Sequence, residues 1–338
     1  MKRVIMILFC GFALMVILPS LGKTEEPKLK IKAKVIQTIK LNEIIPIDLI
    51  YSPDGSLLYC KNYFGSYNPK TGEILVSMES DNFIMEMESL KNIVSLKDQS
   101  ILCFLNNSDV LIKNDGLRIW NYGEKSEMII VTDVDGKILC TSDGKYAVTV
   151  IDDEKAIVTN LALKSEIGMY PVPSIDDFQA KYLFNGPDKL YMVCAKDTLL
   201  NLINIIKNEE IVSIKWEEGK VEHAALSSDC RYLAIFSGEA IHVLNITENK
   251  LISKIDLIVG KIRALNFSKD NNVLGGCTTG NQVVLLDMIS KTEIFTSIGE
   301  HKGPITSICF SPVENIFTTC SFDGTIKIWE YSYVEVSQ

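Results

Sequence analysis

The chain has 338 residues and 37.8 kDa, is 47% hydrophobic and 23% charged, and carries a formal charge of −9 with a pI near 5.1. Such apolar content, with only 20 Gly and 10 Pro, excludes a disordered chain, and the acidic balance argues against a nucleic-acid partner, whose phosphates demand a basic face. The three histidines, His223, His242 and His301, lie far apart, and no CxxC or CxxCH occurs, so zinc-ribbon, thioredoxin and c-type haem patterns are absent.

Lys2 and Arg3 precede an apolar run from Val4 to Leu18, followed by Pro19-Ser20-Leu21-Gly22. A basic start, an apolar core of about 15 residues and small residues at 20 and 22 describe a secretory signal over 1–22. The run is short for a spanning helix, which needs about 20 residues; an uncleaved membrane anchor is the alternative. The expectation is therefore an exported chain, periplasmic or extracellular, with 23–32 a linker and 33–338 the folded domain.

From residue 33 onward the chain reads as short strands punctuated by turns. An isolated strand, Ala33 to Leu41, comes first. Ile47 to Tyr51 runs into the turn Ser52-Pro53-Asp54-Gly55. Phe83 to Leu96 alternates like a strand at its start and is expected to hold a longer loop or lengthened strands. Tyr146 to Ile151 and Val283 to Leu286 are further strands, with turns at Ser142-Asp143-Gly144, Asn185-Gly186-Pro187-Asp188 and Ser228-Asp229. No stretch beyond the leader shows a sustained helical period.

These strands recur with a period. The last unit runs from His301-Lys302-Gly303-Pro304 through Phe310-Ser311-Pro312 to Ser321-Phe322-Asp323-Gly324-Thr325-Ile326-Lys327-Ile328-Trp329-Glu330, and the unit before it aligns without a gap at an offset of 43. Gly260 falls on Gly303, Phe267-Ser268 on Phe310-Ser311 and Leu286-Asp287 on Trp329-Glu330.

This pattern resembles the WD40 repeat family, which closes the third strand of each unit with Trp-Asp. The positions equivalent to that Asp are Asn68, Asn121, Asn160, Asn204, Asn245, Asp287 and Glu330, with spacings of 53, 39, 44, 41, 42 and 43. The resemblance implies an all-β, seven-bladed β-propeller of four-stranded blades. Few residues follow Glu330, so the strand near 33–41 is expected to close the ring by completing the last blade.

Several constellations bear on chemistry. His301, Thr319 and Asp323 look like a hydroxyl–His–Asp triad, but the family resemblance implies that they form a structural hydrogen-bond network with Trp329. Eight cysteines follow the leader, of which Cys60, Cys103, Cys194, Cys277 and Cys320 recur about once per blade and read as buried, reduced small hydrophobes. If one disulfide forms, Cys309 with Cys320 is the candidate. Asp133-Val134-Asp135-Gly136 starts like a calcium loop but lacks a Glu at its twelfth position, and the triplets Asn106-Asn107-Ser108, Asn245-Ile246-Thr247 and Asn266-Phe267-Ser268 fit a glycosylation acceptor. There is no GxSxG and no P-loop.

What remains is surface. Loops on one face of such a ring are expected to carry Tyr63, Phe64, Trp216, Lys302 and Phe322, although Trp216 could instead pack between blades. Exposed aromatics are typical binding anchors, and the resemblance implies a rigid platform for a protein or peptide partner. The expected function is thus an exported, non-catalytic scaffold or recognition module without a cofactor. The alternative is a propeller enzyme, lactonase-like hydrolase or oxidoreductase, with its site at the central channel.

Overall fold

The computed structural model describes residues 7–9, 12–14 and 29–335, apart from short gaps at 69, 72, 80–81, 97–98, 114–115, 133–136, 142–143, 152–154, 172–177, 187–188, 197–198, 208, 257–259 and 291. Residues 31–332 form one compact unit. A second unit joins Met1–Lys30 and Tyr333–Gln338; in it Ile7–Phe9 pairs antiparallel with Phe12–Leu14. No helix among the described residues is long and apolar enough to cross a membrane.

Antiparallel sheets follow one another along the larger unit, each built of consecutive strands. Their first strands touch in succession, from Ile44–Tyr51 through Ile305–Phe310 and back to Ile44–Tyr51, so the sheets close a ring around these innermost strands. Six of the sheets have four strands. The sheet in the first position is built differently. It has five strands, because Leu57–Tyr67 pairs through its first half with Asn82–Glu86 and through its second half with Ile74–Glu79. The expectation of seven like four-stranded blades is therefore corrected to six, plus this branched sheet.

The branching also relocates two features read from the sequence. Residues 83–96 are not the inserted length: Asn82–Glu86 and Lys91–Leu96 are the ordinary third and fourth strands of the first sheet. The insertion is the hairpin of Leu57–Tyr67 with Ile74–Glu79, whose turn carries Asn68. Asn68 does make the expected turn, accepting the Lys70 N–H at 3.0 Å on Oδ1, but between different strands. The third strand of this sheet ends instead at Glu86, 35 residues before Asn121.

At the other marks the Asn or Asp has a clear local task. Asn121, Asn160, Asn204 and Asn245 each end a third strand and accept, on Oδ1, the backbone N–H three residues on, at 2.8–3.2 Å. Asp287 accepts from Ile289 and Ser290. Such side-chain caps mimic a backbone turn and stabilise it. Glu330 makes no such turn, for Thr325–Glu335 runs straight on and the fourth strand of its sheet is Leu29–Lys40, from the other end of the chain. That sealing strand begins at Leu29, inside the stretch read as linker.

A second mark precedes the second strand of three sheets. Ser52, Ser227 and Ser268 are buried, donate to Asp54, Asp229 and Asp270 at 2.6–2.8 Å, and accept the N–H five residues on at 2.9–3.0 Å. The residue three after the mark takes a left-handed conformation: Gly55, Cys230 and Asn271 have φ of 75°, 57° and 60°.

The apolar cores lie between blades rather than within them. Each sheet buries one face against the next, as with Tyr59, Ile84 and Leu96 against Ile101, Phe104 and Val110, and Val193 and Leu202 against Ala224, Leu233 and Ile235. Between the last two sheets Gly275 makes room for a ring. A Cβ there would lie 2.7 Å from Phe310. At the seam Leu58, Cys60, Phe83 and Met85 meet Cys309, Cys320 and Ile326.

Candidate functional site

The last sheet brings His301, Thr319, Asp323 and Trp329 together. Thr319 lies mid-strand in Ile316–Ser321, Trp329 lies on the neighbouring strand, and His301 and Asp323 come from the two adjoining loops. The indole N–H of Trp329 donates to Thr319 Oγ1 at 2.8 Å. Thr319 Oγ1 lies 2.8 Å from His301 Nε2, and His301 Nδ1 lies 3.2 Å from Asp323 Oδ2. Only one proton arrangement satisfies the line with a neutral ring: Nδ1–H donates to the carboxylate and the Thr319 hydroxyl donates to Nε2.

Asp323 also accepts from the Lys302 N–H at 2.7 Å and from the Thr325 hydroxyl and N–H. Burial alone would push its carboxyl up, but the His301, Thr325 and Lys302 donors outweigh it and hold it down at about 2. His301, Thr319 and Trp329 are all buried, with exposures of 2%, 0% and 1%. No hydroxyl in this line is open to a substrate.

A different lock occupies the fifth sheet, and the sequence pattern missed it. Trp216 precedes that sheet's first strand and is buried between the fourth and fifth sheets. Its indole N–H donates to Gly219 O and Ser237 Oγ at 3.0 and 3.2 Å, while the Ser237 hydroxyl donates to Glu218 O and Gly219 O. His242 stands edge-on to Trp216, with ring centroids 4.9 Å apart, and lies 3.2 Å from Ser237 O, which requires an Nε2–H donor. Its Nδ1 is buried without a hydrogen-bond partner. Burial lowers the His242 pKa below its ordinary value. Of the two readings of Trp216, the structure takes the one that packs it between blades: its N–H is spent internally and the residue is 6% exposed.

Of the other rim residues, Lys302 and Phe322 lie on loops of the last sheet and Tyr63 and Phe64 on a strand of the first. Lys302 is exposed beside Gly303. The ring of Tyr67 packs on Gly303 so closely that a Cβ there would lie 2.9 Å from it. Phe322 is half-buried, with the Arg263 guanidinium of the sixth sheet 5.7 Å above its ring, a cation–π distance. Tyr63 and Phe64 lie on the branched strand Leu57–Tyr67; Tyr63 is half-buried and Phe64 is 45% exposed. Tyr67 and Arg263 carry no mark in the sequence for these contacts: ring closure brings Tyr67 to Gly303, and the preceding sheet brings Arg263 to Phe322.

The innermost strands carry Asp48, Glu222, His223 and Arg263. Asp48 accepts the Leu49 N–H and the Ser307 hydroxyl at 2.9 and 3.1 Å. Among the described residues no group of three or more His, Cys, Asp or Glu could hold a metal ion. The described cysteines Cys60, Cys103, Cys140, Cys230, Cys277, Cys309 and Cys320 are free thiols. The candidate bridge is corrected by register: Cys309 pairs with Thr318 and Cys320 with Ser307, so the two are not opposite. Burial raises both thiols well above the usual range. The calcium-like stretch 133–136 lies outside the described residues.

Comparison with known proteins agrees with this geometry. The family profile described as WD domain, G-beta repeat, matches residues 292–330, which contain Thr319, Asp323 and Trp329. The last sheet thus carries a WD40 repeat, within a fold that is an all-β propeller. The chain is 23% identical over 134 residues to an uncharacterized WD repeat-containing protein of Synechocystis, covering 39% of this chain and 38% of that one. It is 32% identical over 65 residues to a U4/U6 small nuclear ribonucleoprotein PRP4-like protein of Arabidopsis thaliana, and 32% over 71 residues to a Lissencephaly-1 homolog of Trichoplax adhaerens. These two matches cover 19% and 21% of this chain but 12% and 17% of the relatives, so the aligned part is a small share of each.

Proposed function

We propose that this propeller is a non-catalytic platform that binds a protein or peptide at the loops of its last sheet. One observation carries the reading: on the loops of the last sheet, Tyr67 of the first sheet packs on Gly303 beside Lys302, and Arg263 of the sixth sheet lies over Phe322. Partly exposed aromatic and Arg side chains are the commonest interface anchors, and here a rigid ring holds them. The hydroxyl–His–Asp line beneath is closed to substrate and serves to fix the loops that present Lys302 and Phe322. The Lys2-Arg3 start and the apolar run Val4 to Leu18 support placing the platform outside the cytoplasm.

The test is cross-linking of the full chain in its native cell, followed by mass spectrometry. Partner cross-links should concentrate at Lys302 and disappear in a Phe322→Ala, Arg263→Ala variant that melts like the parent. Cross-links that ignore this variant would overturn the reading. The same experiment reads the mature N-terminus, which should begin near Lys23.

A further inference from the structure

The innermost strands repeat one irregularity. In the first, fifth, sixth and last sheets the pairing with the second strand slips by one residue, leaving Ile47, Glu222, Arg263 and Thr306 with no residue opposite. Such a bulge re-aims the side chain it carries. Two of the three polar ones are spent inside the protein: the Thr306 hydroxyl donates to Pro46 O at 2.8 Å, and Glu222 lies 3.5 Å from Lys261 Nζ. Arg263 is different. It is exposed, its guanidinium lies 5.7 Å above the Phe322 ring, and among the described residues no carboxylate pairs with it. The chain has 43 acidic residues against 34 basic ones, and the preceding cations Lys254 and Lys261 hold Glu218 and Glu222. Lys302 is exposed and likewise unpaired at its Nζ. Its loop is tied to that of Phe322, since the Lys302 N–H donates to Asp323 at 2.7 Å and the Phe322 N–H to Pro304 O at 3.0 Å. Asp323 itself is turned inward onto His301 and Thr325.

We propose that Arg263 seats a carboxylate of the partner, with an adjoining apolar residue of the partner against the open part of Phe322. The inference rests on the platform reading and adds what the partner presents. Contact with a ring consumes none of the five N–H donors of a guanidinium, and their fork matches a carboxylate through two parallel hydrogen bonds. The Phe322 ring also holds the guanidinium in place, so less side-chain freedom is lost when the anion arrives. Lys302, on the tied loop, adds a second positive charge. Glu222, at the equivalent bulge of the fifth sheet, shares its charge with Lys261 alone in this set and repels further acid. The fitting segment therefore carries one acid among apolar residues, not an acidic run.

The chain has only four arginines, Arg3, Arg118, Arg231 and Arg263, so isotope-labelled arginine gives a side-chain NMR signal that Arg263→Gln assigns. The probes are the capped peptide Ala-Leu-Glu-Leu-Ala, its Gln counterpart, that Gln peptide with a free C-terminal carboxylate, and inorganic phosphate. The Glu peptide should move the Arg263 signal saturably and leave in place those of Arg118 and Arg231, which face Glu127 and Asp229. Gln in place of Glu, or Arg263→Gln, should weaken binding of a dye-tagged peptide by about ten-fold, and Lys302→Ala by about two-fold, with melting temperatures unchanged. Tighter binding of the Glu peptide assigns the seat to a side chain, and tighter binding of the free-ended Gln peptide assigns it to a chain terminus; either supports the carboxylate. No saturable shift at Arg263, an equal shift with the capped Gln peptide, or phosphate binding tighter than both carboxylates overturns the proposal. In the native cell, a carbodiimide, which joins amines to carboxylates, should also capture the partner at Lys302. Loss of that product alone overturns the carboxylate and leaves the platform, whereas loss of every partner cross-link at Lys302 sinks the platform.

Discussion

Thr319→Val separates a structural hydrogen-bond line from a decorative one. Valine matches threonine in shape, so no cavity opens, but both partners of the lost hydroxyl stay in place. The Trp329 N–H then has no acceptor and His301 Nε2 has no donor, and both residues are almost wholly buried. A buried polar group left unpaired costs about 1–3 kcal/mol, so the pair together costs about 2–5 kcal/mol, reduced a little by the added apolar surface. At roughly 2–4 °C per kcal/mol for a chain of this order of size, the melting temperature should fall by roughly 6–12 °C for a loss near 3 kcal/mol. Thr319→Ser is the control. It keeps both hydrogen bonds and loses one methyl, worth about 1 kcal/mol. The order of stability in calorimetry or urea unfolding should therefore be parent, serine, valine. A valine variant as stable as the serine one would refute the network argument, because packing alone would then account for the conservative change.

Three further outcomes follow from the same structure. Deleting residues 29–40 removes the fourth strand of the last sheet, together with the buried Ile31 and the Lys327–Thr38 contact; a single sharp melting transition in the truncated chain would contradict ring closure by that strand. Cys230→Gly and Lys164→Gly should each stabilise by about 0.5–1 kcal/mol, since both residues hold left-handed φ, at 57° and 53°, where a Cβ is strained; unchanged or lower urea midpoints would count against that strain. Stability should fall as pH drops from 7 towards 5, because burial lowers the pKa of His223 and of His242, the latter facing Glu218, Lys254 and Asp256. Below an unfolded value near 6.5 the unfolded chain binds protons that the folded one refuses, so the slope of stability against pH should be shallower in His242→Phe.

The architecture was legible where a residue's local task repeats. Asn121, Asn160, Asn204 and Asn245 each cap the same turn, so their spacing, together with the resemblance to the WD40 repeat, revealed the blades even where the Trp of the pattern is absent. Asn68 misled because it too caps a turn after a strand, by accepting the N–H two residues on rather than three, a difference the sequence does not display. Only pairing partners far along the chain decide whether such a turn belongs to the blade. The line from Asp323 to Trp329 was legible through the resemblance to the WD40 repeat, whose pattern His301, Thr319, Asp323 and Trp329 match in full. The Trp216–Ser237–His242 lock was not, because it is completed by the carbonyls of Glu218, Gly219 and Ser237, and any residue can supply a carbonyl. The same physics bears on function. A repeat can vary freely wherever backbone groups and interblade packing hold it, so the divergent blades need no marks, and the parts that exceed what packing requires stand out. In this chain those parts are the hairpin ending in Ile74–Glu79, whose Tyr67 reaches the sheet that carries the complete hydrogen-bond line, and the pair of Arg263 and Phe322 on a loop of that same sheet.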